Sequence, residues 1–151
     1  MERTFKIIYT SDTHGHIFPV NYAAGCGESS GLLNLAAQID KNGNTLVLDG
    51  GDSLQGTPLV QYYLAHADEF PHHPVAEAFN AMGCDYFTLG NHDFNFGYDA
   101  LRAYLCAMDG VCLCANVQDL GGALPLLPET VHTLKNGLRI GITGIVTDYV
   151  N

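Results

Sequence analysis

Short apolar runs rich in β-branched and aromatic residues alternate along this chain with longer amphipathic ones. Phe5–Thr10 (FKIIYT), Thr45–Asp49 (TLVLD), Tyr86–Leu89 (YFTL) and Val111–Ala115 (VCLCA) have the length and composition of buried strands. The stretches between them read as helices. GLLNLAAQIDKNG places Leu32, Leu35, Ala36 and Ile39 on one face, with Gly43 as the expected C-cap. TPLVQYYLAH and HPVAEAFNAMG set Pro58 and Pro74 at first helical positions, and Gly83 should close the second of them. YDALRAYLCAMDG repeats the pattern with Leu101, Tyr104, Leu105 and Met108.

Further on, TVHTLKNGLRIGITGIV sets Asn136-Gly137 between two alternating runs, the strongest short-range signal for a β-hairpin. Strand and helix in alternation imply an α/β fold: a mainly parallel sheet with flanking helices and a C-terminal hairpin. No repeat or low-complexity segment interrupts it.

Composition narrows the function. The 151 residues, 47% hydrophobic and 15% charged, suit one globular unit with a real core. No apolar run approaches the roughly 20 residues of a spanning helix, so no membrane role is expected. MERTFKIIYT has no apolar leader core before the first strand. The expected location is cytoplasmic if Met1 is native, and periplasmic or extracellular if a leader preceded it. Six Lys and Arg against sixteen Asp and Glu, a net charge of −10, argue against duplex nucleic acid as a partner. The five cysteines include no C-x-x-C pair and read as buried reduced thiols, with Cys112 and Cys114 on one strand face.

Three of the four strand candidates run straight into polar clusters: SDTHGH, GGDSLQG and GNHDFNFG. In open α/β sheets, ligands bind just beyond the carboxyl ends of strands. Together Asp12, His14, Asp52 and Asn91 offer two carboxylates, an imidazole and an amide oxygen, a set suited to divalent cations of borderline hardness. Asp12 and His14, two residues apart, would point the same way from an extended strand end. Asp52 could bridge two ions, Asn91 could hold the second, and ions about 3.5–4 Å apart clamp both oxygens of a phosphoryl displacement. Gly50, Gly51 and Gly90 would let backbone approach ions or phosphate. His92 should point away from Asn91 towards substrate, and Asp93 is expected to cap the following helix.

These clusters, in this order, resemble the first half of the calcineurin-like metallophosphoesterase motif, D-x-H, then G-D, then G-N-H-[DE]. Here they are Asp12-Thr13-His14, Gly51-Asp52 and Gly90-Asn91-His92-Asp93. LVLDGGDSLQGTPL, HPVAEAFNAMGCDYFTLGNHDFNFG and CANV are similar to blocks of the branch holding 5′-nucleotidases and 2′,3′-cyclic-nucleotide 2′-phosphodiesterase/3′-nucleotidases. The resemblance implies part of a four-layer metallophosphoesterase sandwich, with two divalent ions (Mn, Fe, Co or Zn) held by Asp12, His14, Asp52 and Asn91. A metal-bound hydroxide would attack phosphorus in a small nucleotide or phosphate ester while His92, the catalytic residue, assists the leaving oxygen.

Two departures matter. The 5′-nucleotidases of the branch typically carry Asp three residues after the motif histidine, where this chain has Asn95, so the cyclic phosphodiesterase reading leads and the 5′-nucleotidase reading follows. The later histidine motifs of the family have no counterpart here. His132 reads as a surface or core histidine, and His16, His66, His72 and His73 match no ligand position. Residues 1–151 are therefore expected to be the N-terminal portion of a catalytic domain, without the nucleotide-binding C-terminal domain, weak or inactive alone, with an exposed sheet edge that invites self-association. A non-catalytic metal-binding fragment is the third reading.

Overall fold

The computed structural model describes residues 2–21, 23–27 and 29–149. In chain order its strands are β1 (Lys6–Thr10), β2 (Val20–Asn21), β3 (Cys26–Gly27), β4 (Thr45–Asp49), β5 (Tyr86–Phe87), β6 (Val111–Leu113), β7 (Leu126–Leu127), β8 (Glu129–Thr133) and β9 (Arg139–Thr143). The helices are α1 (Leu32–Ala36), α2 (Pro58–Ala65), α3 (Pro74–Met82) and α4 (Tyr98–Ala107). Strands β1, β4, β5, β6 and β7 form one sheet in that order, every neighbouring pair parallel. The α/β reading of the sequence is correct, and so is the hairpin: β8 and β9 pair antiparallel around Gly137, whose φ is 80°. The short β2–β3 ladder and β7 carry no two-residue alternation long enough to be seen in sequence.

Period-two alternation divides the sheet into two faces. Val47, Phe87 and Cys112 join Val75, Phe79 and Met82 of α3 and Leu101, Tyr104 and Leu105 of α4 in the buried core. Leu48, Tyr86 and Leu113 face the other way and, with Tyr9, Ile142 and Ile145, line a cavity of about 250 Å³ beneath the hairpin. The hairpin is fixed there by Tyr86 Oη against His132 Nδ1 at 3.0 Å and by Asn116, whose carboxamide bonds both backbone groups of Val146. It covers only part of that face. On the edge strand β1, Ile7 and Tyr9 stay 48% and 64% exposed.

Helix ends follow their sequence signals, with one exception. Thr57 and His73 cap α2 and α3 by accepting from Val60 N and Ala76 N, each helix begins at proline, and α3 ends on left-handed Gly83. The expected helix reaching Gly43 is instead only Leu32–Ala36. Its second half is taken by tertiary bonds: Lys41 Nζ reaches Gly83 O and Asp85, and Gly43 O accepts from Lys135 N. Cys84, Cys112 and Cys114 are buried as free thiols, whereas Cys26 and Cys106 are exposed, contrary to the burial expected for all five. No described helix is long and apolar enough to cross a membrane.

Candidate metal centre

The sheet order decides which loops meet. Because β1, β4 and β5 are neighbours, the segments leaving their carboxyl ends lie side by side, and these segments carry the three polar clusters. The first two loops continue the ladder past the strands: Asp12 N donates to Gly51 O and His14 N to Asp52 O, both at 2.9 Å. Ligand atoms of Asp12, His14 and Asp52 consequently all lie within 4.8 Å of one another.

The route to that convergence differs from the extended strand end expected of Asp12 and His14. Asp12, His14 and Asp52 have φ of 54°, 48° and 58°, and they are the non-glycine residues with positive φ among the described residues. Left-handed backbone costs a residue with a Cβ about 1 kcal/mol or more, and such strain persists where the surroundings impose it. Here a run of reversals, not strand alternation, turns the two side chains into one mouth.

The third loop is bound to the second. His92 N donates to Asp52 Oδ1 at 2.8 Å, which orients that carboxylate. Asn91 is half-buried and opens the same one-turn 3-10 segment, Asn91–Phe94, directly before that amide. The His92 ring stands 5.5 Å from the His14 ring, edge to face, so the imidazole shares the mouth with the carboxylates.

The glycines serve loop contact more than ligand approach. A Cβ on Gly51 (φ 91°) would stand 2.3 Å from Gly90 N, and one on Gly90 would stand 2.1 Å from Asp52 Oδ1. The two loops touch backbone to backbone at the one place that brings Asp52 to the 3-10 turn.

Asp93 does not cap the following helix, contrary to expectation: α4 starts after Gly97 with no side-chain cap, and Asp93 bonds the backbone of its own turn and of the Asp52 loop instead. It is fully buried; Oδ1 accepts from Ser53 N (2.8 Å) and Leu54 N (2.9 Å), and Oδ2 from Asp52 N and Gly90 N (both 2.9 Å). One carboxylate thus staples the Asp52 loop to the Asn91 loop. Burial pushes its pKa up, and the four amide donors pull it back. Beneath it, Asp49 accepts from Thr10 Oγ1 (2.6 Å), Gly51 N and Ser53 Oγ; burial raises its pKa to about 6 against these bonds. Sequence reading passed over both roles of these aspartates and also Gln55, whose main-chain oxygen lies 2.6 Å from His14 Nδ1. A carbonyl can only accept, so Nδ1 carries the proton and Nε2 keeps its lone pair for a ligand. The extra aspartate that LDGGD carries ahead of Asp52 was the available signal for Asp49.

A cation fits this set. Two carboxylates converge with an imidazole whose tautomer leaves a lone pair free, and among the described residues no lysine or arginine forms an ion pair with Asp12 or Asp52. Three of the five remaining histidines have other work: His73 caps α3 in the core, where burial lowers its pKa to about 4; His66 stacks on Tyr62; His132 bonds Tyr86.

Comparison with known proteins agrees with the geometry. The sequence profile of the calcineurin-like phosphoesterase family matches residues 5–147. The trifunctional nucleotide phosphoesterase protein YfkN of Bacillus subtilis is 32% identical over 93% of this chain and 11% of its own length. The crystal structure of that calcineurin-like phosphoesterase superposes with a TM-score of 0.77, over 93% of this chain and 47% of the crystallised one. The 2′,3′-cyclic-nucleotide 2′-phosphodiesterase/3′-nucleotidase of Salmonella typhimurium is 31% identical over 93% of this chain and 24% of its own. A 5′-nucleotidase precursor from Thermus thermophilus has a TM-score of 0.66 at 28% identity, over 93% of this chain and 28% of its own. The chain spans about a quarter, or less, of these two curated relatives' length.

Proposed function

Because the chain belongs to the calcineurin-like phosphoesterase family, we propose that it serves hydrolysis of nucleotide phosphate esters, with 2′,3′-cyclic nucleotides and 3′-nucleotides as the leading substrates. The convergence of Asp12, His14 and Asp52 within 4.8 Å carries this reading, since strained backbone holds acidic and imidazole ligands together with no lysine or arginine among the described residues paired to the two carboxylates. Asp12, His14, Asp52 and Asn91 would hold two divalent cations of the Mn, Fe, Co or Zn type. Bound there, such ions supply Lewis acidity to phosphoryl oxygens and lower the pKa of a water.

This chain's own residues do the rest. Asp52, oriented by the His92 amide, stands between the ligands of the first loop and Asn91. His92, ring to ring with His14, is the group that meets the phosphoryl or leaving oxygen, where an N–H offsets developing charge. Asp93 keeps the loops of both in register through the amides of Asp52, Ser53 and Leu54.

Substrate choice rests on Asn95, which sits 3.0 Å from His92 Nδ1 where 5′-nucleotidases of the resembling branch carry a carboxylate. An amide adds no charge to the imidazole, which fits the cyclic phosphodiesterase version. The 5′-nucleotidase reading stays the second one, supported by the Thermus likeness. We read residues 1–151 as the N-terminal portion of a catalytic domain, weak in turnover alone. The test is hydrolysis of 2′,3′-cyclic AMP, 3′-AMP and 5′-AMP by the chain with Mn²⁺, alongside a longer protein that contains it. A preference for 5′-AMP would reverse the order of substrates. Absence of Mn²⁺ binding in both would end the enzymatic reading.

A further inference from the structure

Two side-chain amides behind the catalytic mouth form a chain that the proposed activity does not by itself require. Asn95 Nδ2 donates to Gln55 Oε1 in a short hydrogen bond and also lies 3.0 Å from His92 Nδ1. The same Gln55 accepts the His14 Nδ1 proton through its main-chain oxygen. One residue of the Asp52 loop therefore touches both imidazoles of the mouth, one through its backbone and the other through Asn95.

The direction of the Asn95 bonds is decided by what is left over. In this arrangement Asn95 Oδ1 is buried without a hydrogen-bond partner. Turning the carboxamide over would put Oδ1 against Gln55 and His92 and leave a buried NH2, with two unsatisfied donors, in its place. An orphaned carbonyl, one acceptor, costs less than two orphaned donors, so Nδ2 faces His92. An amide nitrogen has only hydrogens to offer, and His92 Nδ1 must then be the acceptor. Its single proton resides on Nε2.

We infer that Gln55 is a positioning residue: its side-chain carbonyl aims the Asn95 amide at His92 Nδ1, which fixes His92 as the Nε2–H tautomer and makes it a hydrogen-bond donor, not a base, towards the phosphate ester. A carboxylate at position 95 would do the reverse, accepting from Nδ1–H and leaving Nε2 bare. His14 and His92 thus hold opposite tautomers side by side, one with a lone pair for a cation and one with an N–H for an anion. The tautomers belong to the chain itself, and only their use rests on the phosphoesterase reading.

The test is long-range ¹H–¹⁵N correlation on the metal-free chain with ¹⁵N-labelled histidine, at a pH where the imidazoles are neutral. Signals of His92 are identified by their loss in His92→Gln, and those of His14 by loss in His14→Gln. The expected pattern is a pyridine-like Nδ1 and pyrrole-like Nε2 for His92, with the reverse for His14. Gln55→Leu should turn the His92 signals towards an averaged pair while the His14 pattern stays, because its partner is main chain. Gln55→Glu keeps the acceptor and should restore the His92 pattern, and Asn95→Asp should reverse it. Should Gln55→Leu fail to fold, Gln55→Met, which also lacks the side-chain carbonyl, takes its place. An Nδ1–H tautomer in the parent chain, or a His92 pattern unchanged in Gln55→Leu (or Gln55→Met) or in Asn95→Asp, overturns the inference. Lack of phosphodiesterase activity with the expected tautomers would instead sink the proposed function and leave this intact.

Discussion

Replacing Asp93 by Asn keeps the shape of the side chain and changes the sign of half its contacts. The carboxylate accepts from four backbone amides at 2.8–2.9 Å, from Asp52, Ser53, Leu54 and Gly90. Asparagine with its oxygen towards Ser53 and Leu54 retains two of these and turns an NH2 against the N–H groups of Asp52 and Gly90. Each bond to a charged acceptor is worth about 1.5–3 kcal/mol, so losing two gives about 3–6 kcal/mol. The parent chain already bears the desolvation of a buried carboxylate, which pushes its pKa up, and this lowers the expected net loss to about 3 kcal/mol. With a urea m-value of about 1.5–2 kcal/mol/M, the midpoint should fall by about 1.5–2 M at pH 7, slope unchanged. Because the lost Asp52 bond is one of the three by which Asp93 ties the Asp52 loop to its own, Mn²⁺ affinity measured by calorimetry should fall as well. A midpoint within about 0.3 M of the parent value, which is about 0.5 kcal/mol, would refute the idea that one carboxylate holds the loops in register.

Further outcomes follow from the same geometry. Gly51→Ala must place a Cβ 2.3 Å from Gly90 N at φ 91°, so urea unfolding should show a loss of about 2–4 kcal/mol and metal titration a weaker site. Asp52→Asn should leave stability within about 1 kcal/mol but weaken Mn²⁺ binding at least tenfold by calorimetry, since it removes the charge the ligand loops share. Burial lowers the His73 pKa from 6.5 to about 4, so its share of stability is complete above pH 6.5 and is lost as pH falls towards 4, about 3 kcal/mol in all. His73→Asn keeps the cap on Ala76 and should lose less stability than the parent over that window, read by urea unfolding in EDTA. Asp49 runs the other way, because its pKa rises from 3.8 to about 6. Its share is complete below pH 3.8 and is lost as pH climbs through 6, so Asp49→Asn should gain on the parent across that rise.

Much of this molecule was legible in its sequence because local physics wrote it there. Prolines at first helical positions, Gly83 in the left-handed region and Asn136-Gly137 at the hairpin each prefer one backbone geometry, and the chain adopts it. Short apolar runs rich in β-branched and aromatic residues, TLVLD and VCLCA among them, marked the strands. The helix from Leu32 went wrong where Lys41 and Gly43 found tertiary partners that no periodicity records. Among site residues, Asp12, His14 and Asp52 were named as ligands and do converge, but by left-handed turns that an i, i+2 argument on an extended strand could not foresee.

Residue chemistry and spacing, then, set which side chains could hold a cation and which segments would be strands, since both depend on groups close in the chain. Tertiary structure alone decided that β1, β4 and β5 would be neighbours, that Asp93 would serve as a staple, and that Gln55 would reach two histidines. Those outcomes depend on contacts between residues some forty positions apart, where the sheet order supplies the proximity and the hydrogen-bonding needs of buried groups select the partners.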